Sequence, residues 1–363
     1  MGRADAVDTV IRILKGAVHA KASDIHLRAG AAPQVRIDDE LCPLEHPPLT
    51  TAVIEAGIRA LGQYARVPPE KLEALQLDFS CVVPDVGRFR AHCYQQAGSK
   101  AVVLRCIPDT VPDFASLRLP RVIKRIAKLR TGLIIVTGAT RNGKSTTIAS
   151  ILEYINNHEP RHIITLEDPV EYVFEDKVAS FSLREVGRDL DTMKDGLESA
   201  LRADPDIVFI GEVRTHHEFD VALHAAESGR LVVTTLHSAD CVRAISRMVH
   251  FYPADQRDSI RQRLADNLAA VVAQRLVPKR GGRSRILVTE VLTRSPTVQD
   301  CVRDPARLRA LPAALDKASH EYGSHSFDQQ LVRMVRDGLI SLDTAKGVAN
   351  SPSDLVRTLK VTR

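Results

Sequence analysis

Apolar and polar positions along the first hundred or so residues follow two periods, one helical and one strand-like. The predicted elements are a helix over 5–20, two short strands around a turn in "ASDIHLRAGAAPQVRID", helices near 50–62 and 69–76, and strands in "LDFSCVV", "GRFRAHCYQ" and "KAVVLRCI". This mixture predicts a small α+β domain over 1–110. The proline-bearing stretch 107–120 predicts a linker, and residues 111–120 are assigned to it between the two domains.

The pattern changes after residue 120 to strands that alternate with helices. The predicted elements are strands in "TGLIIVTG", "RHIITLED", "PDIVFIGE" and "GRLVVTTLH", and a helix in "KSTTIASILEYINN". Such alternation is typical of a mainly parallel sheet with crossover helices, so we expect an α/β domain over 121–363. The remainder from about 256 is expected to be helical, with capped amphipathic helices in "SFDQQLVRMVRDGL" and "SPSDLVRTLK".

Composition narrows this picture only slightly. The 363 residues carry 50 basic and 45 acidic side chains, a net charge of +5 that neither demands nucleic acid nor excludes an acidic membrane surface. The six cysteines form no C-x-x-C pair, which argues against a disulfide framework or a zinc site. No run of 18 apolar residues occurs, so we expect a cytoplasmic protein that reaches membranes through partners.

A phosphate-binding loop is indicated by "GATRNGKSTT", which follows a predicted strand and opens a predicted helix. The predicted nucleotide-binding residues are Gly138, Ala139, Thr140, Arg141, Asn142, Gly143, Lys144, Ser145 and Thr146. Backbone N–H groups of such a loop surround phosphate oxygens, while the lysine supplies a cation and the serine hydroxyl a ligand for Mg²⁺. If the loop requires a positive φ at Arg141, the cost is about 1–2 kcal/mol, which anchored phosphates can offset.

Chemically capable side chains follow the other predicted strands. Glu167 and Asp168 end one strand with Glu171 close behind, Glu212 follows a second, and His237 ends a third. Ligands of open α/β sheets gather at the carboxyl ends of the strands, so we expect these groups to face the phosphate loop. Taken singly, each is also compatible with an ordinary solvated glutamate or a structural histidine, whereas together they favour metal and water handling.

Four ordered stretches carry a resemblance to a known family. "GATRNGKST", "ITLEDPVEYVF", "LRADPDIVFIGEVR" and "AAESGRLVVTTLHSAD" resemble the Walker A, Asp box, Walker B and His box of the type II and type IV secretion ATPase superfamily. The N-terminal region resembles its small PAS-like domain, and "SFDQQLVRMVRDGLIS" resembles the C-terminal helices of the pilus retraction subfamily, the PilT and PilU motors. The resemblance implies a PAS-like domain followed by a RecA-like P-loop ATPase domain with C-terminal helices.

The resemblance also implies an oligomeric state, an activity and a set of partners. It implies a homohexameric motor that hydrolyses ATP with Mg²⁺, drives type IV pilus retraction and twitching motility, and acts on a platform protein of the inner membrane. A paralogous retraction ATPase is an implied partner, and nucleic acid is not. Assembly motors usually carry extra N-terminal domains and a four-cysteine zinc insert. We expect neither here, because the PAS-like region begins near residue 1 and the cysteines are unpaired.

Individual roles follow from matched motif positions. The implied catalytic residues are the Walker B Glu212, the Asp-box Glu167 and Glu171, the His-box His237, and the N-terminal arginine fingers Arg90 and Arg105; the implied metal ligands are Ser145 and Glu212; and Ser23, Asp24 and His26 match a signature with a structural role. On spacing alone, the two arginines are also compatible with ordinary exposed strand residues.

Three departures keep other interpretations open. Arg141 and Asn142 stand where the family usually has Gly-Ser, Arg230 replaces the first His-box histidine, and 297–304 only loosely resembles a retraction motif. One alternative is therefore an accessory nucleotide-binding ring subunit that hydrolyses weakly, and another is a secretion or conjugation ATPase. A helicase is disfavoured, because 4% aromatic residues without tryptophan leave little for base stacking.

Overall fold

A computed structural model describes residues 2–37, 40–107, 110–282, 284–317 and 322–361. Parts of the predicted ranges lie outside the described residues, namely Met1, Asp38, Asp39, Pro108, Asp109, Arg283, 318–321 and 362–363. The chain divides into two compact units, one formed by Met1–Thr110 with Pro169–Val173 and the other by Val111–Asp168 with Phe174–Arg363. The first is called unit 1 and the second unit 2.

Unit 1 is an antiparallel sheet with two helices. Its elements are α1 (Arg3–His19), β1 (Asp24–Arg28), β2 (Gln34–Ile37), β3 (Glu40–Pro43), α2 (Thr51–Tyr64), a 3₁₀ turn (Lys71–Glu73), β4 (Gln76–Val83), β5 (Gly87–Gln96) and β6 (Ser99–Ile107). The strand order is β3-β2-β1-β6-β5-β4. Apolar residues of the helices, such as Leu14 and Ile54, form one buried cluster with Phe89 and Leu104 of the sheet. The helical period of the sequence predicts one buried stripe on each helix, and the strand period predicts one buried face of the sheet.

Unit 2 is a mainly parallel sheet with helices between its strands. Its strands are β7 (Gly132–Thr137), β8 (His162–Glu167), β9 (Ser180–Glu185), β10 (Ile207–Ile210), β11 (Leu231–Leu236), β12 (Leu268–Pro278) and β13 (Arg285–Thr293). Its helices are α3 (Arg121–Ala127), α4 (Lys144–Asn156), α5 (Met193–Ala200), α6 (His216–Glu227), α7 (Cys241–His250), α8 (Arg257–Asn267), α9 (Pro296–Arg303), α10 (Leu311–Lys317), α11 (Phe327–Arg336), α12 (Leu342–Val348) and α13 (Pro352–Val361). The strand order is β13-β12-β7-β11-β10-β8-β9.

The α/β fold class is confirmed, and so are the strand–helix alternation after residue 120 and the two C-terminal helices. Strands β7, β10 and β11 are buried along their whole length, as expected for a parallel sheet covered on both faces. Among the described helices, none combines the length and the apolar character needed to cross a bilayer.

Two predictions about elements are wrong. The region after 256 is not wholly helical, because β12 pairs in parallel with β7 and antiparallel with β13. A buried apolar run suits either a helix or a strand, and here pairing with a distant partner decided it. The predicted helix near 69–76 is only the short 3₁₀ turn, since β4 already begins at Gln76. Strands β3 and β9 were not predicted from the sequence.

Candidate functional site

The phosphate-binding loop lies between β7 and α4, and two glycines give it its shape. Gly138 has φ 150°, and a Cβ there would lie 2.6 Å from the backbone oxygen of Gln274 on β12. Gly143, at φ 77°, is the left-handed residue directly before α4. Both conformations are unfavourable for a residue with a side chain, so the glycine spacing of the motif is a steric requirement of this turn. The N-terminus of α4 consequently opens at the loop, where its dipole favours an anion.

Lys144 is the first residue of α4 and supplies the cation of the loop. Its Nζ donates hydrogen bonds to the backbone oxygens of Gly138 at 3.0 Å and Ala139 at 3.1 Å. Ser145 and Thr146 follow in the first turn, both partly buried. Arg141 is exposed and has φ 66°, so the loop does require the left-handed conformation there. The arrangement places the ammonium group of Lys144 and a helix N-terminus at the same loop.

The ends of four adjacent strands bring the predicted residues of unit 2 to one edge of the sheet. The strands β8, β10, β11 and β7 are neighbours in that order, and they run parallel. Glu167 ends β8, Glu212 follows β10, His237 follows β11 and Gly138 follows β7. Glu167 is 5% exposed, and Gly211 lies against it because the two strand ends pack closely. The expected convergence of acid, histidine and phosphate loop is therefore present.

Glu212 contacts two polar side chains, His237 and Arg214. Its Oε1 is 3.0 Å from Nε2 of His237, and its Oε2 accepts a hydrogen bond of 2.9 Å from Nε of Arg214. Arg214 also lies 3.5 Å from Asp168, which is an exposed ion pair of small energetic value. Both carboxylate oxygens of Glu212 are thus oriented by neighbours, which fixes the position of the side chain.

The pKa of His237 is lowered, chiefly by burial and then by the positive charge of Lys144, while Glu212 acts in the opposite sense. A neutral imidazole has a single N–H, and the short contact assigns it to Nε2 as a donor to Glu212. The ammonium group of Lys144 in the phosphate loop thus favours the neutral form of His237.

Three of the predicted catalytic residues belong to unit 1. Arg90 of β5 and Arg105 of β6 are direct cross-strand partners, so they lie on the same face of the sheet. Arg105 contacts the buried Asp24 of β1, with 3.1 Å between Nε and Oδ1, and Ser23 donates to the other oxygen of Asp24 at 2.8 Å. This is the structural role expected of Ser23 and Asp24. Glu171 lies in Pro169–Val173, the segment that is grouped with unit 1.

Sequence reasoning missed two residues at the site. Arg214, two positions after Glu212, is positioned by the capping box that begins α6 at Thr215. Gln274 was missed because its segment was predicted to be helical, although a polar residue inside the apolar run "LAAVVAQRLV" is a usable signal. Its side chain is fully buried, and its Nε2 donates a 2.6 Å hydrogen bond to Thr147 of α4. Arg230, at the departure from the His box, directs a guanidinium nitrogen to the oxygen of Ser228 at 3.2 Å.

Known proteins are similar to this chain over most of its length. Residues 2–311 match the family model described as type II/IV secretion system protein. The type IV pilus retraction ATPase PilT of Pseudomonas aeruginosa is 37% identical over 334 residues, which cover 92% of this chain and 96% of PilT. The type IV pilus ATPase PilU of the same organism is 34% identical over 351 residues, covering 96% of this chain and 91% of PilU.

A solved structure shows the same likeness in three dimensions. The crystal structure of the pilus retraction motor PilT with bound ADP superposes with a TM-score of 0.86 at 38% sequence identity. The alignment covers 96% of this chain and 99% of that one. The predicted order, an N-terminal domain followed by a RecA-like ATPase domain, is confirmed by this match.

Proposed function

The chain belongs to the type II/IV secretion family, and from that premise we propose that it is an ATP-driven motor which retracts type IV pili. The observation that carries the proposal is the convergence of Lys144, Glu212 and His237 at the carboxyl edge of one parallel sheet. The similarity to PilT over nearly the full length of both chains supports retraction over other outputs of the family.

The chemistry proposed for the site is hydrolysis of ATP to ADP and phosphate. Lys144 and the amides of the loop neutralise charge on the phosphate oxygens, which is the main contribution a protein makes to phosphoryl transfer. Glu212 orients the attacking water. Neutral His237 and Arg214 hold the two oxygens of Glu212, so the carboxylate keeps one orientation while the reaction proceeds.

Mg²⁺ is the metal that this donor set fits. Ser145 and Glu212 supply hard oxygen donors, and the described residues include no cluster of three or more His, Cys, Asp or Glu side chains suited to a metal. Such a sparse set suits Mg²⁺, which keeps several waters and takes the rest of its ligands from phosphates. When bound, the ion would neutralise negative charge between the outer phosphates.

Assembly and output are also part of the proposal. The motor is a homohexamer in which Arg90 and Arg105 of unit 1 act as arginine fingers and Glu171 serves with Glu167 as an acidic group of the site. Hydrolysis drives domain motion that is passed to a platform protein of the inner membrane. The protein works from the cytoplasmic side, with a paralogous retraction ATPase as a further partner and without nucleic acid. Similarity to both PilT and PilU supports this setting.

Phosphate release in the presence of ATP and Mg²⁺ tests the enzymatic part. We expect Lys144→Ala and Glu212→Gln to lower turnover by about 100-fold or more, because each removes charge stabilisation or water positioning. Lys194→Ala, at an exposed position of α5, is the matched control and should keep wild-type turnover. A wild-type protein that binds ATP but releases phosphate no faster than these two variants contradicts the proposal.

Deletion of the gene tests the direction of the motor. More surface pili together with less surface motility is the result expected for a retraction motor. Loss of surface pili would instead assign the chain to assembly, and unchanged pili would favour a secretion or conjugation machine.

A further inference from the structure

Asn142 joins the phosphate loop to the backbone of β12 by two hydrogen bonds. Its Nδ2 donates to the oxygen of Gln274 at 3.2 Å, and its Oδ1 accepts from the N–H of Leu276 at 3.3 Å. These are the two peptide groups on either side of Arg275, and a residue of a neighbouring parallel strand would bond to the same pair. The ladder between β7 and β12 ends at Thr137 and Ala273, so Asn142 continues it where β7 gives way to the loop.

Gln274 makes two further links between β12 and the loop region. Its side chain bonds to Thr147 in the first turn of α4, and both residues are buried. Its backbone oxygen lies so close to Gly138 that only glycine fits there. The start of the loop, its middle and the first turn of α4 are therefore all held by one short stretch of β12.

Arg275, the next residue of β12, makes side-chain contacts on the other face of the strand. Its guanidinium donates to the oxygen of Val348 at the end of α12, to Oδ1 of Asn350 at 3.0 Å, and to the oxygen of Ala239 at 3.3 Å. It also lies 3.9 Å from the ring centroid of Phe327, the first residue of α11, in a cation–π contact. Successive residues of a strand point to opposite faces, so Arg275 reaches the C-terminal helices while Gln274 reaches the loop.

Ala239 gives this contact a direct relation to the chemical site. It lies two residues after His237 and immediately before Asp240, the capping residue of α7. The same guanidinium therefore touches the segment that carries the histidine and the segment that joins α12 to α13. A movement of Arg275 changes both sets of contacts at once.

We propose that Asn142 and Arg275 are positioning residues which couple the phosphate loop to the C-terminal helices through the backbone of β12. The proposal rests on the proposed function, since nucleotide at the loop is the signal. When phosphates reposition the loop, Asn142 displaces the peptide groups that flank Arg275, and the contacts at Val348, Asn350 and Ala239 follow. A serine at position 142 offers one polar atom in place of two, so it cannot bridge these peptide groups in the same way.

Amide hydrogen exchange of the full chain, measured with and without ATP and Mg²⁺, tests the coupling. In the wild type we expect nucleotide to change exchange in 342–361 by about threefold or more, since these helices are linked to the loop. In Asn142→Ser and in Arg275→Gln that response, measured at saturating nucleotide, should fall to about a third or less. Because Arg275 lies outside the phosphate loop, the nucleotide Kd of Arg275→Gln should stay within about threefold of wild type. Arg275→Lys, which keeps the charge but cannot make all of these bonds, should behave like Arg275→Gln.

The kcat of the double variant provides a second readout, because two independent structural defects would lower kcat by the product of their separate effects. If the two residues form one pathway, the kcat of the Asn142→Ser/Arg275→Gln double variant should equal that of the worse single variant rather than the product of the two losses. Arg357→Gln, on the exposed surface of α13, is the control and should leave both the exchange response and kcat unchanged.

Each remaining outcome has a definite meaning. A full exchange response in the single variants, independent effects on kcat, or a wild type whose helices ignore bound nucleotide overturns the coupling. A wild type that binds nucleotide and shows the exchange response but releases no phosphate contradicts the proposed motor and leaves the coupling intact. A wild type that does not bind nucleotide overturns both.

Discussion

At the scale of single residues, Arg141 is the feature that distinguishes this phosphate loop. The sequence indicates that an arginine is costly at this position if the loop requires a positive φ. The structure gives Arg141 a φ of 66°. A side chain in this region costs about 1–2 kcal/mol, yet the adjacent Asn142 ties the loop to β12 and can hold the strained conformation. Arg141 is thus compatible with a working loop.

Replacing Arg141 with glycine should relieve this strain without remaking the site. We expect Arg141→Gly to change the free energy of unfolding by no more than about 1 kcal/mol, because the relief is partly offset by the greater freedom of glycine in the unfolded chain. Turnover should stay within about threefold of wild type, since Lys144 and Glu212 are unchanged. Urea denaturation and phosphate release are the measurements.

Asp204→Gly is the matched control for Arg141→Gly, because Asp204 has φ 49° and lies outside the loop. A gain in turnover of about tenfold or more in Arg141→Gly alone would contradict the expectation. It would instead favour the interpretation of the chain as an accessory subunit with an impaired loop.

At the scale of elements, the strand pairing in unit 1 gives different partners to two arginines that look alike in the sequence. Arg90 and Arg105 are opposite each other on β5 and β6, and Asp24 is opposite Arg105 on β1. The structure pairs Arg105 with Asp24, which is 4% exposed. Arg105 therefore stabilises its own unit, whatever it does in catalysis.

Alanine substitutions should distinguish these two roles. Arg105→Ala leaves the buried Asp24 carboxylate with fewer partners, so we expect it to destabilise unit 1 by about 1 kcal/mol, a value reduced because the guanidinium is half exposed. Arg90→Ala should leave stability unchanged. Both should lower turnover if they act as arginine fingers.

Amide exchange in β1 and β6 measures the stability of this region, and phosphate release measures turnover. Equal destabilisation by the two substitutions contradicts the assignment of the structural role to Arg105. Unchanged turnover in Arg90→Ala contradicts its role as an arginine finger.

The sheet of unit 2 shows which elements local patterns can predict. The strands β7, β8, β10 and β11 are mainly apolar runs bounded by turns or polar residues, and the sequence predicts each of them. The run that forms β12 is also mainly apolar, but its local pattern predicts a helical region. Whether this run forms a strand depends on its pairing with β7, more than 120 residues earlier in the chain. A local window of sequence contains no information about that partner.

At the scale of the whole molecule, a buried histidine links the C-terminal region to the sheet of unit 2. The backbone of His325 exchanges two 2.9 Å hydrogen bonds with Val291 of β13, and its Nε2 lies 3.1 Å from the hydroxyl of Thr289. Burial lowers the pKa of His325 from its ordinary value of 6.5, so the folded protein resists protonation there. Acid should therefore weaken this attachment.

Stability should fall as the pH drops from about 7.5 to about 5.5. The unfolded chain protonates His325 near its ordinary pKa while the folded chain does not, so the unfolded state binds more protons and gains stability from acid. One such group contributes at most about 1.4 kcal/mol per pH unit. Urea denaturation of wild type and His325→Gln across this range measures the effect, and the variant should show the smaller pH dependence.

Glu290 has the opposite effect on the pH dependence of stability, because burial raises its pKa from 4.5. Its contribution is present in both wild type and His325→Gln, so it cancels when the two are compared. His250→Gln, at an exposed position, controls for the loss of a histidine as such. Equal pH dependence in wild type and His325→Gln contradicts the assignment.

The sequence by itself determined the α/β class, the phosphate loop and the order of the strand ends that carry Glu167, Glu212 and His237. These features are encoded by short periodic runs, glycine positions and the rule that parallel strands end at one edge. Only the tertiary structure decided that β12 lies beside β7, that Asn142 bonds to its backbone and that Asp24 pairs with Arg105. Each of these contacts joins residues far apart in the chain, and their energies depend on packing and pairing that no local pattern specifies.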